Sequence, residues 1–251
     1  PAAVWASYLD NEIARQFTAR MVTEHGFDRA EVERLLAAAE RKQAILDAIS
    51  RPAERTLEWK DYRKIFIQES RIEQGVAFWH KHRKTLERAE KEYGVPPHII
   101  VAIIGVETRY GQHMGNYRVL DALATLGFDY PKRGKFFSRQ LEEYLLMTRE
   151  QGLDPLQLTG SYAGALGFGQ FIPSSYRAYA VDFDGDGVRD IWQNRTDAIG
   201  SVANYFSEHG WKGSSPVIVQ VTGVGDELDA LANQELALTH KFGDLVAQGL
   251  Q

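Results

Sequence analysis

The sequence predicts a mainly α protein, α+β in class, with a small β element late in the chain. Three observations carry this. Apolar residues recur at helical spacing from the N-terminal region to Gly210. Prolines and glycines punctuate that pattern where helices would start and stop. Only SPVIVQVTGV, Ser215–Val224, combines β-branched content with alternation.

The elements follow in order. AEVERLLAAAERKQAILDAI, Ala30–Ile49, reads as one helix, opened by Asp28 with Glu31 three residues on, the pattern of a capping box. Trp59 to Tyr93 reads as helix in one or two pieces, with Gly75 as a possible break. Gly94 and Val95-Pro96-Pro97 end that element and start the next. Pro97 suits a first helical turn, and a residue before proline is pushed out of helical geometry. The helix it opens, HIIVAIIGVETRYG, is apolar nearly all round and is expected to be buried, with Gly111 and Gly115 ending it. FFSRQLEEYLLMTREQG is a further helix. Beyond Pro155 come SYAGALGFGQFIPSSY, DFDGDGVRDIW and the helical AIGSVANYFSEHG.

Composition narrows the function. The chain has 251 residues, 44% apolar and 25% charged, ordinary values for a soluble globular protein. A net charge of -5 without a basic stripe argues against nucleic acid as partner. With no cysteine, disulfides and thiolate metal sites are excluded. No apolar run reaches the ~18 residues of a transmembrane segment, and no signal peptide is visible. The start at Pro1 reads as a processed or trimmed form. His80 and His82 are too close for one helix face, so no zinc site is indicated, and no G-x-S-x-G elbow occurs.

Glu107 is the anomaly. It follows VAIIGV, with Ile103 and Ile104 one turn back and Tyr110 and Gly111 one turn ahead. Desolvation there would raise its pKa and let it hold a proton near neutral pH, as a general acid must. The structural alternative is a helix-end glutamate paired with Arg109 or facing water. A second motif adds weight to the first reading. GSYAGALGFGQFIPSSY places Gly160, Gly164, Gly167 and Gly169 within ten residues, followed by Gln170 and Pro173. Such density implies close backbone approach or unusual dihedrals. One or two tight turns would explain some of them. A loop against which a polymer lies would explain all four, with Ser161 and Gln170 as hydrogen-bond donors.

In this order, E-T-x-Y-G and S-Y-x-G-A-x-G-x-x-Q-F-x-P-S-S-Y resemble the lytic transglycosylases of the membrane-bound B type, glycoside hydrolase family 103. The resemblance runs from Tyr62 to Trp211 and into the β region. It implies a lysozyme-like core. The expected organisation is a helical N-terminal domain over 1–93, a catalytic core with a calcium loop over 94–213, and a small β region over 214–251. The resemblance assigns Glu107 as the single catalytic acid/base. It makes Ser161, Gln170, Tyr205, Tyr62 and Arg133 substrate-binding, with Phe136 where a tyrosine can occur. Ordinary core packing is the alternative for Tyr62, Phe136 and Tyr205. In the family an aromatic, asparagine-rich segment returns to the active site after the β region. The chain stops at Gln251 before such a segment, so that region is expected to be incomplete.

The reaction implied is peptidoglycan cleavage without water. Protonated Glu107 would donate to the oxygen linking N-acetylmuramic acid to N-acetylglucosamine. It would then take the proton of the muramic C6 hydroxyl, which closes a 1,6-anhydro ring. The partners implied are peptidoglycan glycan strands, and the location a soluble form in the Gram-negative periplasm. No organic cofactor is indicated. DFDGDGVRDIWQ opens like an EF-hand loop, with Asp182, Asp184 and Asp186 at positions 1, 3 and 5 and the Val188 carbonyl at position 7. Asp190 holds position 9, but Gln193 stands where a glutamate would close the loop. The family's late carboxylate matches Asp197, which makes a structural calcium site the expectation. An ion-free acidic turn is the alternative. Two other function classes stay open: a non-catalytic peptidoglycan-binding protein, and a calcium-binding interaction protein in which Glu107 is structural.

Overall fold

The computed structural model describes residues 7–50, 58–213, 217–218 and 241–247. The chain divides into two compact units, Pro1–Gly213 and Ser214–Gln251. The strand expected over Ser215–Val224 lies outside the described residues except for Val217 and Ile218. In the second unit a short helix spans Phe242–Ala247.

The first unit is helical. A 3₁₀ turn at Tyr8–Asp10 leads into α1, Glu12–His25. The Asn11 side chain caps α1 by accepting from the Ile13 and Ala14 amides at 2.8 and 3.3 Å. At the next start, the Asp28 carboxylate accepts the Glu31 amide at 3.0 Å, one half of the capping box. The single helix expected after it is two: α2, Arg29–Ala38, and α3, Gln43–Ser50. Side chains from far along the chain take the backbone groups of the break. Asp121 accepts the Glu40 amide at 2.8 Å and Thr125 the Lys42 amide at 3.1 Å, while Arg118 donates to the Ala38 carbonyl. Asp121 is 4% exposed and also pairs with Arg118 at 2.5 Å. Asp121→Ala would strand both partners. We expect a loss of about 3 kcal/mol, read as a melting temperature lower by roughly 6–12 °C.

Trp59–Tyr93 is two helices, α4, Trp59–Phe66, and α5, Glu69–Tyr93. The break falls at Ile67–Gln68. Gly75, the break the sequence suggested, lies buried inside α5. α6, Pro97–Thr108, has proline at its first position as expected. It is not buried all round. Ile100, Ile104, Gly105 and Thr108 face the core, whereas His98, Ala102, Val106 and Glu107 are exposed. It ends at Arg109 in left-handed geometry, ahead of the glycines that were expected to stop it.

A two-residue strand β1, Tyr117–Arg118, then pairs antiparallel with β2, Thr159–Gly160. This pairing sets the turn after α6 beside the glycine-rich loop. Between the strands lie α7, Val119–Asp129, and α8, Gly134–Gln151. Every residue of α7 from Val119 to Phe128 is buried, and α7 packs along α8. α9, Pro173–Tyr179, packs on α8, and α10, Arg195–Glu208, crosses α5, α6 and α9. Tyr144 and Tyr176 are among the largest buried side chains, and each satisfies its hydroxyl on a backbone carbonyl, Pro155 and Arg189.

Candidate active site

Glu107 sits in the last turn of α6, at a cleft of about 330 Å³. The walls come from three places: Ile103 on α6, Gly169 to Ile172 of the glycine loop, and Val202, Tyr205 and Phe206 on α10. Ser175 of α9 closes one side. Thr108 joins the first two walls, since its hydroxyl donates to the Phe168 carbonyl at 2.9 Å and accepts the Gly111 amide at 3.0 Å.

Glu107 is open to solvent as a residue, yet the apolar wall strips enough water from its carboxyl to raise the pKa, with burial the cause. Pairing with Arg109 does not occur. Arg109 turns to α5 instead, donating to Gln74 at 2.9 Å and Ser70 at 3.3 Å. The pH consequence has a definite sign. A carboxyl with a raised folded pKa binds its proton more tightly in the folded chain. Its contribution is full below the unfolded value and is lost as pH rises through the folded one. Glu107→Gln, always neutral, should therefore match the wild-type melting temperature in acid and exceed it at neutral pH. Melting curves at pH 4 and 7 check this.

The four glycines of the loop are accounted for by contacts within the protein. Gly164 and Gly167 have φ of 78° and 64°, geometry that side chains with a Cβ adopt at a cost. A Cβ at 164 would meet Leu123, at 167 Ile191, at 160 the Ala165 carbonyl, and at 169 Phe171 and Val202. The expectation that a polymer's approach demands all four is thus corrected: they let the loop pack closely against itself, α7, α10 and the acidic loop after α9.

Of the two expected donors, Ser161 keeps its donor role and Gln170 is corrected. The Ser161 hydroxyl oxygen accepts the Ala163 and Ala165 amides at 3.2 and 3.0 Å, which leaves only its proton to offer. The Gln170 amide nitrogen donates to the Met114 and Gly167 carbonyls at 3.3 and 3.0 Å, so its oxygen is the group left for the cleft, an acceptor. Gln170 itself holds φ 50°, a strained backbone setting, and its two hydrogen bonds hold the amide in this orientation.

Of the expected site residues, Glu107, Gln170 and Tyr205 come together in the cleft. Tyr205 is held by a ring cluster, stacked on His209 at 4.1 Å and edge-on to Phe171 and Tyr179 at 5.7 and 5.2 Å. Ser161, Tyr62, Arg133 and Phe136 do not line this cleft. Tyr62 lies on α4 between Trp59 and Phe66. Arg133 precedes α8 with its guanidinium over the Phe136 ring at 4.3 Å, and both are exposed. Ile103, one turn before Glu107, stands in the wall as its spacing suggested, whereas Phe171, Val202 and Phe206 were not foreseen. Spacing could have found Val202, one turn before the expected Tyr205.

Asp182, Asp184, Asp186 and Asp197 each bring one carboxylate oxygen within 4.8 Å of the others. Backbone amides shape the loop. Asp182 accepts Gly185 and Gly187 at 2.7 and 2.8 Å, and Asp186 accepts Val188 at 2.8 Å. Asp197, fully buried at the start of α10, accepts Phe183 and Asp190 at 2.8 and 2.9 Å. Four oxygen donors of one sign suit a hard divalent cation. Asp190 turns away to cap Trp192 and Gln193 at 2.9 Å. Asn194, unforeseen, donates to Asp184 at 2.7 Å and caps α10 through Thr196. The loop abuts the glycine loop, since the Phe168 amide donates to the Ile191 carbonyl at 3.0 Å.

Comparison with known proteins gives concordant matches. The model of the transglycosylase SLT domain matches residues 10–251. The membrane-bound lytic murein transglycosylase B of Escherichia coli is 49% identical over 225 residues, 86% of this chain. The chain spans 62% of the length of that relative. Soluble lytic transglycosylase SltB1 of Pseudomonas aeruginosa is similar at 54% identity and TM-score 0.91, over 96% of this chain and 80% of that one. Escherichia coli Slt35, solved with calcium and separately with bulgecin A, is similar at 46% identity and TM-score 0.87, over 97% of this chain and 76% of its own.

Proposed function

The chain belongs to the transglycosylase SLT domain family, and on that premise we propose that it is a lytic transglycosylase of peptidoglycan. The substrate is the β-1,4 bond between N-acetylmuramic acid and N-acetylglucosamine, and the product ends in 1,6-anhydromuramic acid. One observation carries the reading. Among the described residues lining the cleft, Glu107 is the one carboxyl, and burial raises its pKa. A hydrolytic glycosidase ordinarily sets two carboxyls about the scissile bond. A lone carboxyl must act in turn as acid and as base, and a raised pKa suits both halves.

The chain's own groups then divide the work. Protonated Glu107 gives its proton to the leaving glycosidic oxygen, and as carboxylate recovers one from the C6 hydroxyl while that oxygen closes on C1. Gln170 accepts from a sugar hydroxyl or amide, and Tyr205 offers a ring face and its hydroxyl. The apolar wall of Ile103, Phe171 and Val202 keeps bulk water from the charge that develops. Tyr62, Arg133, Phe136 and Ser161 serve longer strands outside this cleft. Asp182, Asp184, Asp186 and Asp197, with the Val188 carbonyl, would hold one structural calcium, whose charge offsets their mutual repulsion when bound. Within the 1–213 unit, 94–213 is assigned as the catalytic core and 1–93 as the helical N-terminal domain. The compartment assigned is the periplasm. Among the described residues no helix is long and apolar enough to cross a membrane. Bulgecin A, bound by Slt35, is a ligand to try in the cleft.

Incubation with purified sacculi tests the activity. Release of soluble muropeptides is expected from the wild type. Binding to sacculi without release would instead identify a peptidoglycan-binding protein.

A further inference from the structure

The residues just after Glu107 are held in a way the reaction itself does not require. Arg109 and Tyr110 have φ of 49° and 59°, consecutive left-handed settings on side chains that adopt them at a cost. Such strain persists only where neighbouring contacts impose it. Here the contacts come from α5. Gln74 and Ser70 take Arg109. Arg71 donates to the Gly105 carbonyl at 2.7 Å, two residues before Glu107. The Tyr110 ring lies against Phe78 with centroids 5.6 Å apart. Its hydroxyl end fills a seat between two glycines, Gly75 of α5 and Gly105 of α6. A Cβ on Gly75 would collide with the Tyr110 oxygen, and one on Gly105 would lie 2.5 Å from it.

We propose that Tyr110, seated between Gly75 and Gly105, is a positioning residue that fixes Glu107 in the cleft, with α5 as the template. The inference rests on the transglycosylase reading for its kinetic consequences. α5 contributes no residue to the cleft wall, so Gly75 acts on turnover indirectly, and the Tyr110→Phe background separates the seat from the packing of α5 on α6 and α10. The geometry makes the two glycines unequal. With the hydroxyl removed, the nearest ring carbon is 3.2 Å from a Cβ at 75, tight but able to yield, and 2.7 Å from one at 105, still a clash.

The test is a set of variants of the full chain: Gly75→Ala and Gly105→Ala, each with Tyr110 and with Tyr110→Phe. Turnover is measured on soluble glycan strands. Glu107 is also titrated through its side-chain carbon by NMR, a readout that needs no activity. Gly75→Ala is expected to lower kcat about 10- to 100-fold with KM within about twofold, the signature of a displaced catalytic group. In the Tyr110→Phe background the same change should cost no more than about threefold. Gly105→Ala should stay impaired in both. The Glu107 titration midpoint should move in Gly75→Ala and return in the double variant. Equal losses from Gly75→Ala in both backgrounds, or a Glu107 titration that Gly75→Ala leaves unmoved, would overturn the seat. A wild type that does not cleave glycan would overturn the proposed function instead, and the titration would still decide this inference.

Discussion

Glu107→Gln is expected to fold, bind glycan and turn over at least about 10³-fold more slowly than the wild type. General acid–base catalysis by a positioned group is worth roughly 10²–10⁴-fold, and here one carboxyl serves both proton transfers. The amide keeps the size and most of the hydrogen bonding, so KM should change little while kcat collapses. A factor of about 10³ corresponds to roughly 4 kcal/mol of barrier. A structural carboxylate makes the opposite pattern: a loosened fold with much of the activity intact. Steady-state kinetics on glycan strands, with a melting curve on the same sample, separates the two.

Removal of calcium should lower stability by nearly as much as Asp121→Ala. An ion that binds only the folded chain stabilises it by mass action, about 2.7 kcal/mol at a hundredfold excess over Kd. For a chain of this size that is a fall of roughly 5–11 °C in melting temperature on chelation. Asp197→Ala should cost as much without any chelator. It removes a ligand and strands the Phe183 and Asp190 amides that its buried carboxylate now satisfies. Melting curves that coincide with chelator and with added calcium would reduce the loop to an acidic turn.

Legibility in the sequence followed the range of the interactions. Caps and proline starts are local, and Asp28 and Pro97 stand where helices begin. The break between α2 and α3 was hidden because Arg118, Asp121 and Thr125, which take its backbone groups, lie some eighty residues away in sequence. α7 went unread for a different reason. It is buried on all sides, so even Asp121 and Thr125 face inward and no polar stripe marks a period. α6 erred the other way: its apolar residues outnumber the core positions, and Val106 stays 44% exposed. Glu107 was legible as an ionisable intruder in an apolar run. Its wall was not, because Phe171 and Val202 arrive from separate elements. The glycine loop was recognised by its pattern but explained by the wrong partner, since the groups packing against it are the protein's own.

The most direct test of the central claim is the mass of the product's muramic end. Muropeptides released from sacculi by the wild type should carry 1,6-anhydromuramic acid, lighter by one water than a hydrolytic product and resistant to borohydride reduction. That outcome requires the C6 oxygen, freed of its proton by Glu107, to have closed the ring. Reducible ends at the full hydrated mass, with cleavage persisting in Glu107→Gln, would contradict it.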